Sequence, residues 1–399
     1  LDLELSRPEL ARVQEASGGN PYLALELGRE LVRTQARPAA GRNLRVPESL
    51  RDLVGGRLAQ LPAETADVLL QISALARPTV ELVASAHGDL ERVRESISVA
   101  AAEEIVVLDD SRVQFSHPLL ASICYERAPV WKRCAVHRAL AAVVTDIEER
   151  ARHLALAAEG PDAGIASELD AAADQAEARG ATASAAELLE LAAQLTPDSP
   201  ALARRRRLPP AGLHRLAGDI ARAQTMLEQL LQEVPPGPER ADVLFGFAMV
   251  SVGNPPAFAP LFEQAWPDVE ADDARFARWL AFRAWARLME SDNVRALADA
   301  RAALEKAERV RDPELAARVI ARLGQIEMWA CEVTPGLLER GAELALRHAL
   351  PLDYWTNPRF WLARLRIRQD RLEDARAMFA AMEGETVARG DEQTRTHIM

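Results

Sequence analysis

The feature that most constrains this chain is a series of helix breaks at nearly even spacing from about residue 161 onward. Each break is followed by an alanine-rich segment with helical spacing of its apolar residues. The breaks lie at Gly180, Gly218, Gly253, Ser291, Glu332 and Asp370, and the helical segments cover 183–195, 221–231, 257–266, 294–307, 335–346 and 372–382. Small residues allow two helices to pack closely, and stacked hairpins bury a continuous core. The pattern therefore predicts helical-hairpin repeats over residues 161–399.

The spacing of the breaks also indicates the kind of repeat. They are about 35 to 41 residues apart, near the ~34-residue tetratricopeptide period. Because proline cannot continue a helix, we expect the stops between hairpins at Pro197, Pro235, Pro267, Pro313 and Pro351. The tryptophan and tyrosine signature of tetratricopeptide repeats is degenerate here. The sequence therefore predicts a tetratricopeptide-like solenoid.

A different pattern precedes the repeats, over residues 46–130. Helical periodicity covers about 48–60, 64–76, 79–86, 89–102 and 118–125. Between the last two segments, the apolar run Ile105–Leu108 and the alternating run Arg112–Phe115 flank the turn residues Asp109–Ser111, which predicts a β-hairpin. Several helices with one small hairpin are the layout of a winged-helix domain. We expect a mainly α chain, with two helices over 1–36 and a helical connector over 131–160.

Composition limits the classes of partner. The 399 residues carry a net charge of −12, whereas a duplex DNA-binding protein usually presents a basic face. The one dense basic run, Arg204–Arg207, would point in all directions on a helix. We interpret it as a solvated helix end or loop, and contact with an acidic partner or nucleic acid is the alternative. The sequence predicts no direct DNA binding by this chain.

The cysteines and the hydropathy of the chain indicate its cellular compartment. Cys124, Cys134 and Cys331 have no disulfide or zinc-ligand spacing, which fits a reducing compartment. We find no apolar stretch near the ~18 residues needed to cross a membrane, and no signal peptide opens the chain. We therefore expect a cytoplasmic protein with no membrane partner.

The sequence contains one run that resembles a catalytic motif. The run Ile105–Asp110 looks like a Walker B strand, but the chain has no glycine-rich loop ending in Gly-Lys-Ser/Thr to hold phosphates. The wing hairpin is the better interpretation of this run. The histidines show no metal-ligand spacing, and no nucleophile motif is present. The sequence therefore predicts no catalytic residues and no metal site, and an enzyme is the least favoured class.

Two small motifs can each be interpreted either as local structure or as part of a binding site. Gly19-Asn20-Pro21 separates two helices and taken alone is a turn. His117 lies where the second strand meets a helix start, and a lone histidine there is usually a cap or a core residue. A helix N-terminus also attracts phosphate oxygens, to which histidine can donate a hydrogen bond.

Taken together, several segments resemble one family. The segment Gly18–Leu27 resembles the Gly-x-Pro segment of STAND-class signalling ATPases, particularly the large LuxR-type regulators related to the maltose regulator MalT. The run Val46–Val54 resembles the start of the family's winged helix, and Phe115–Leu120 resembles its end. The runs His137–Ala141 and Arg152–Ala155 resemble the helices that lead into the repeats.

The resemblance implies roles that the residues alone do not show. It implies that 1–36 is the end of an ATPase module, and that Gly19, Asn20, Pro21 and His117 contact ATP or ADP with magnesium in a longer parent protein. In the family, the proline packs near the adenine and the histidine holds the β-phosphate of ADP in the resting state. Pro118 departs from the aspartate that immune-receptor relatives carry at this point.

The resemblance also implies a function. The repeats would bind an effector, a small molecule or a protein, and the winged helix would relay this event to the ATPase core. Nucleotide exchange would then permit self-association and transcriptional activation. We expect this chain to be a fragment without the P-loop half and without the C-terminal helix-turn-helix. The alternative is a helical-repeat scaffold that binds proteins and has no nucleotide role.

Overall fold

A computed structural model of the chain describes residues 7–17, 24, 25, 27, 28, 31, 58, 60–196, 200–251, 258–350, 352–389 and 391–398. The chain divides into two compact units. The first comprises Leu1–Glu177 and Ala181–Arg222, and the second comprises Ala178–Gly180 and Ala223–Met399. Each unit is mainly helical, and the described residues contain one antiparallel strand pair, in the first unit. The mainly α fold class is confirmed.

The helices and strands before the repeats are α1 (Arg7–Ala16), α2 (Ala63–Ala74), α3 (Val80–His87), α4 (Leu90–Ala102), β1 (Val106–Asp109), β2 (Arg112–Phe115), α5 (Pro118–Arg127), α6 (Val130–Val143) and α7 (Ile147–Ala157). The order of helices and hairpin over 64–127 is the one that the sequence predicts. The helix predicted over 48–60 lies almost entirely outside the described residues.

The later helices are α8 (Ala163–Ala178), α9 (Thr182–Gln194), α10 (Pro200–Leu216), α11 (Ile220–Glu233), α12 (Pro238–Val250), α13 (Phe258–Val269), α14 (Asp273–Met289), α15 (Asn293–Val310), α16 (Pro313–Ala330), α17 (Leu337–Arg347), α18 (Pro358–Arg368), α19 (Leu372–Arg389) and α20 (Glu392–Ile398). No strand follows residue 161 in the part of the chain that the structure describes. Successive helices form hairpins of tetratricopeptide-like length, as the breaks predict.

Local sequence explains where the helices of the first unit begin and end. Thr79 caps α3 by accepting a hydrogen bond from the Leu82 amide at 3.2 Å, and Gly88 ends it in the left-handed conformation that glycine adopts freely. Asp89 then caps α4 through the Arg92 amide at 3.1 Å. These signals lie one after another along the chain, which is why the sequence predicts both helices correctly.

The β-hairpin forms between the two runs that the sequence predicts as strands. Val106 pairs with Phe115 and Asp109 with Arg112, and Asp110 turns the chain with a φ of 53°. Asp and Asn tolerate this left-handed region better than most residues. The run Ile105–Asp110 therefore ends in a hairpin turn, and the wing interpretation is confirmed over the Walker B one. Ile105, Val106 and Val113 belong to the apolar core that the neighbouring helices share.

The predicted breaks between repeat helices are confirmed wherever they are described. The chain takes a positive φ at Gly180, Gly218, Ser291, Cys331 and Asp370, where one helix ends and the next follows closely. The break observed at Cys331 is one residue before the predicted Glu332. The predicted break at Gly253 and the predicted stops at Pro197 and Pro351 lie outside the described residues.

Two sequence predictions about the repeats are wrong. Pro267 does not stop a hairpin: it lies inside α13, which continues to Val269. The helix tolerates the lost hydrogen bond because Ala265 and Val269, on either side, are completely buried. The run Arg204–Arg207 is neither a loop nor a helix end but the second turn of α10. Within this turn, Arg206 donates hydrogen bonds to the Asp170 carboxylate at 2.6 Å and to the Thr196 hydroxyl at 2.7 Å.

The first repeat hairpin is held together by small residues. Helices α8 and α9 bury Leu169 and Leu188 in a core that otherwise consists mostly of alanine. Alanine loses no side-chain entropy and lets backbones approach closely. The buried alanines of this core are Ala151, Ala166, Ala172, Ala173, Ala176, Ala185, Ala186 and Ala192.

The second unit has an aromatic core and a close contact between two helices. Phe258, Trp279, Phe282 and Trp285 pack against one another beside α12 and α13. Glycine favours the close approach of α16 and α17, because a Cβ on Gly324 would overlap the Leu338 side chain. The second unit thus combines a core of large aromatic side chains with a helix–helix contact that a glycine makes close.

Candidate functional site

The residues predicted to contact nucleotide are described only in part. Gly19, Asn20 and Pro21 lie outside the described residues, so their roles and their relation to His117 stay predictions. His117 is half-buried and directly precedes α5, as predicted. Its carbonyl accepts a hydrogen bond from the Leu120 amide at 3.0 Å.

The preceding residue, Ser116, fixes this junction to the β-hairpin. Its amide donates to the Ile105 carbonyl at 2.9 Å, and its hydroxyl donates to the Glu104 carbonyl at 2.7 Å. The start of α5 is therefore held against the wing. The first amides of a helix have no partners inside that helix and favour an anion. The contact of His117 with a phosphate stays a prediction.

At the other end of α5, the half-buried Tyr125 begins a chain of hydrogen-bonded side chains that continues through two buried histidines. The Tyr125 hydroxyl lies 2.7 Å from His137 Nε2, and His137 Nδ1 lies 2.8 Å from His153 Nδ1. The two histidines are 2% and 3% exposed. Three successive helices, α5, α6 and α7, are therefore joined by one hydrogen-bonded path, which we call the histidine chain.

The environment of His153 sets the direction of this path. His153 Nε2 has no hydrogen-bond partner, and the Glu149 carboxylate lies 3.9 Å away. A lone pair on Nε2 would face that negative charge, so the proton belongs on Nε2. His153 Nδ1 then accepts from His137 Nδ1–H, and His137 Nε2 accepts from the Tyr125 hydroxyl. A neutral imidazole has one donor and one acceptor nitrogen, which matches this assignment.

Burial keeps both histidines neutral. It lowers the pKa of His137 to about 3, with further lowering by the neighbouring His153 and Arg133. Burial also lowers the pKa of His153 to about 4. A charged imidazole would lose its hydration, and a second proton would disrupt the contact between the two Nδ1 atoms. The histidine chain is therefore complete only in its uncharged form.

The last helix of the path is anchored to the region before the hairpin. Glu149 Oε1 accepts a hydrogen bond from the Ala76 amide at 2.9 Å, just after α2 ends. The Asp146 side chain caps the start of α7 through the Glu149 amide at 2.8 Å. Hydrogen bonds therefore connect α7 to the end of α2 and, through His137 of α6, to α5, which His117 precedes.

The sequence does not reveal this site. The segments around His137 and His153 resemble helices of the family, but nothing in them pairs the two side chains. They are separated by a helix end, and no residue spacing reveals that they meet. The one available signal is Glu149 and His153 four residues apart, which places them on the same face of a helix.

The described residues contain no group of three or more His, Cys, Asp or Glu side chains that could hold a metal ion. Within the same residues, no helix is both long and apolar enough to cross a membrane. Cys124, Cys134 and Cys331 are free thiols, and burial raises the pKa of Cys124 to about 12. A thiol with so high a pKa is a poor nucleophile.

Comparison with known proteins gives a distant structural likeness. No family profile matches the chain, and no curated protein is similar to it in sequence. Among solved structures, a STAND protein (signal transduction ATPase with numerous domains) with a tetratricopeptide repeat sensor from Pyrococcus horikoshii is similar to it. The TM-score is 0.43 and the identity 11%, and the match covers 98% of this chain and 61% of that one. The chain thus spans less than two thirds of that protein's length, and a likeness of this degree assigns no function.

Proposed function

We propose that this chain is the sensor and relay portion of an ATP-dependent, signal-transducing transcriptional regulator. The helical repeats bind an effector or a partner protein, and the winged helix over 46–130 couples that event to the nucleotide state. The histidine chain carries the proposal, because it joins α5, which His117 precedes, to the connector helices that lead into the repeats. Gly19, Asn20 and Pro21 contact the nucleotide together with His117 in the parent protein.

A second contact supports the relay. Arg12 on α1 forms an ion pair with Glu187 on α9, and their side chains are 23% and 6% exposed. Helix α1 belongs to the segment assigned to the ATPase module, and α9 belongs to the first repeat hairpin. A buried charge pair loses most of its favourable energy when one partner leaves. A movement of the first repeat hairpin would therefore break or keep an ion pair made by α1.

The His117 contact acts on a two-state equilibrium. It exists only when the winged helix is folded against the ATPase core, so it stabilises the closed, ADP-bound state and not the open one. One hydrogen bond to a charged group contributes about 1.5–3 kcal/mol. Its loss shifts the equilibrium roughly 10- to 150-fold.

The test is the dissociation rate of ADP from the parent protein. His117→Ala is expected to release ADP faster and to raise effector-independent activity. His87→Ala is the matched control, because His87 is also half-buried, ends α3 in the same region and is not at the start of α5. An unchanged ADP off-rate in His117→Ala, with a lowered Tm, would mean that His117 is only a structural residue.

The scaffold function makes the opposite prediction. A pure interaction module would bind its partner equally well with ATP, with ADP or with neither. Partner binding by the parent should therefore be measured in all three conditions. Equal affinities in all of them would favour the scaffold and contradict the relay.

A further inference from the structure

Arg322 of the second unit lies between two tryptophans without a counter-ion. Its guanidinium carbon is 5.9 Å from the ring centre of Trp285 and 5.4 Å from that of Trp355. Its Nη1 donates a hydrogen bond to the side-chain oxygen of Gln325. Among the residues that the structure describes, no carboxylate comes within 4.0 Å of the guanidinium. One hydrogen bond occupies one of five donors.

Other arginines with limited exposure in the same unit have carboxylate partners. These pairs are Arg240–Asp268, Arg275–Asp242, Arg283–Asp299, Arg359–Glu385 and Arg366–Glu339. Burial lowers the pKa of Arg322 to about 10, against the opposing effect of the more distant Asp353. Arg322 is half-buried, so its guanidinium keeps only part of its hydration. A charged group that loses hydration gains from contact with an anion, and no carboxylate of the described residues contacts this one.

The aromatic cluster to which Trp285 belongs contains buried donors without partners. Trp285 is 5% exposed, and its indole Nε1 has no hydrogen-bond partner. Trp279 is completely buried, its Nε1 also has none, and Phe282 contacts both tryptophans. Buried polar groups in native proteins are nearly always hydrogen-bonded. The cluster thus has an excess of N–H donors and positive charge, with too few acceptors.

We propose that Arg322, Trp285 and Trp355 form a binding site for a small organic oxyanion, a carboxylate or a phosphate ester on a flat apolar body. The guanidinium binds the oxyanion with two parallel hydrogen bonds, which its planar fork favours. The indole rings contact the apolar body. The proposal that this ligand is the effector rests on the proposed sensor function, whereas the existence of the site does not.

The test measures the Tm of the full chain with benzoate and with phenyl phosphate, each at about 10 mM, and with benzamide as the uncharged counterpart. A ligand that binds only the folded state raises Tm, by a few degrees when its concentration is well above Kd. We expect an oxyanion to raise the Tm of the wild type and benzamide to have no effect. A response to benzoate alone identifies the carboxylate, and a response to phenyl phosphate alone identifies the phosphate ester.

Two variants locate the site. Arg322→Met should weaken the binding at least about tenfold, the effect of losing one charge-assisted hydrogen bond. Arg364→Met is the matched control, because Arg364 also lies over two rings, those of Phe360 and Trp361, but is exposed. The control should bind as the wild type does. Arg322→Met should also fold without loss of Tm when no ligand is present, since methionine removes an unpaired charge.

The inference is wrong if neither oxyanion raises the Tm of the wild type, or if Arg322→Met responds as strongly as the wild type. A lower Tm of unliganded Arg322→Met would equally show that the arginine is structural. Arg322→Lys keeps the charge without the planar fork and should bind more weakly than the wild type. None of these measurements involves adenine nucleotide, so this inference and the proposed function can fail separately.

Discussion

The two units satisfy their buried polar groups in different ways. In the first, Tyr125, His137 and His153 hydrogen-bond to one another, and burial keeps the two histidines neutral. In the second, Arg322 keeps its charge among aromatic rings without a carboxylate. The histidine chain joins three helices and ends at His153 Nε2, whereas the cluster around Arg322 contains the unpartnered indole nitrogen of Trp285 and a cation without a carboxylate. The difference fits a relay in the first unit and a sensor in the second.

The largest expected effect concerns the aromatic core of the second unit. Trp279 is completely buried among Phe245, Phe262 and Phe282. Trp279→Ala should destabilise the second unit by about 3–5 kcal/mol, because neighbouring rings cannot collapse into the space. Urea denaturation followed by fluorescence measures it. The control is Trp329→Ala, whose side chain is 56% exposed. Similar losses in both variants would contradict the described core.

The next prediction contrasts a paired arginine with Arg322. Asp299 is 6% exposed and accepts hydrogen bonds from Arg283 at 2.7 and 2.8 Å. Asp299→Asn should cost about 2–3 kcal/mol, because it removes the charge that balances Arg283 and Arg287. Arg322→Met should cost nothing. Chemical denaturation measures the free energy of unfolding of both variants. Equal destabilisation would mean that Asp299 and Arg322 do not differ in their contribution to stability.

Acidification should destabilise the first unit. The histidine pKa is 6.5 in the unfolded chain but about 3 for His137 and about 4 for His153 when folded. Below pH 6.5 the unfolded chain binds more protons, so the stability present above that pH is lost as the pH falls. Between pH 7 and 5 the loss is about 2 kcal/mol for each histidine.

Hydrogen exchange in α6 and α7 at several pH values measures this loss. His153→Gln should give a shallower pH dependence, and His87→Gln should leave it unchanged. A wild-type first unit that is equally stable at pH 7 and 5 would show that the two histidines are not buried as neutral groups.

The smallest effect belongs to an exposed ion pair. Glu305 and Arg309 are 68% and 55% exposed. Glu305→Gln should change the stability by no more than about 0.5 kcal/mol, since solvent screens the pair. Thermal denaturation at low and high salt measures this change in stability. A loss as large as that of Asp299→Asn would mean that burial does not distinguish the charge pairs of this unit.

The sequence predicts those features that depend on residues close together in the chain. Helix caps such as Thr79, the turn at Asp110 and the breaks at Gly180 and Gly218 are local, so they follow from residue type and spacing. Pro267 misleads because the burial of its neighbours outweighs a local rule. The pairing of His137 with His153 and the isolation of Arg322 depend on tertiary packing, which no local pattern contains.

The relay from the repeats to the nucleotide is tested most directly by the ADP dissociation rate of the parent protein carrying Tyr125→Phe. This change removes only the hydroxyl that joins α5 to His137 at 2.7 Å. Loss of a neutral hydrogen bond destabilises the closed state by about 1 kcal/mol, so ADP should leave about fivefold faster than from the wild type. The rate should stay below that of His117→Ala. A rate equal to the wild type, with His117→Ala accelerated, would contradict the relay through the histidine chain.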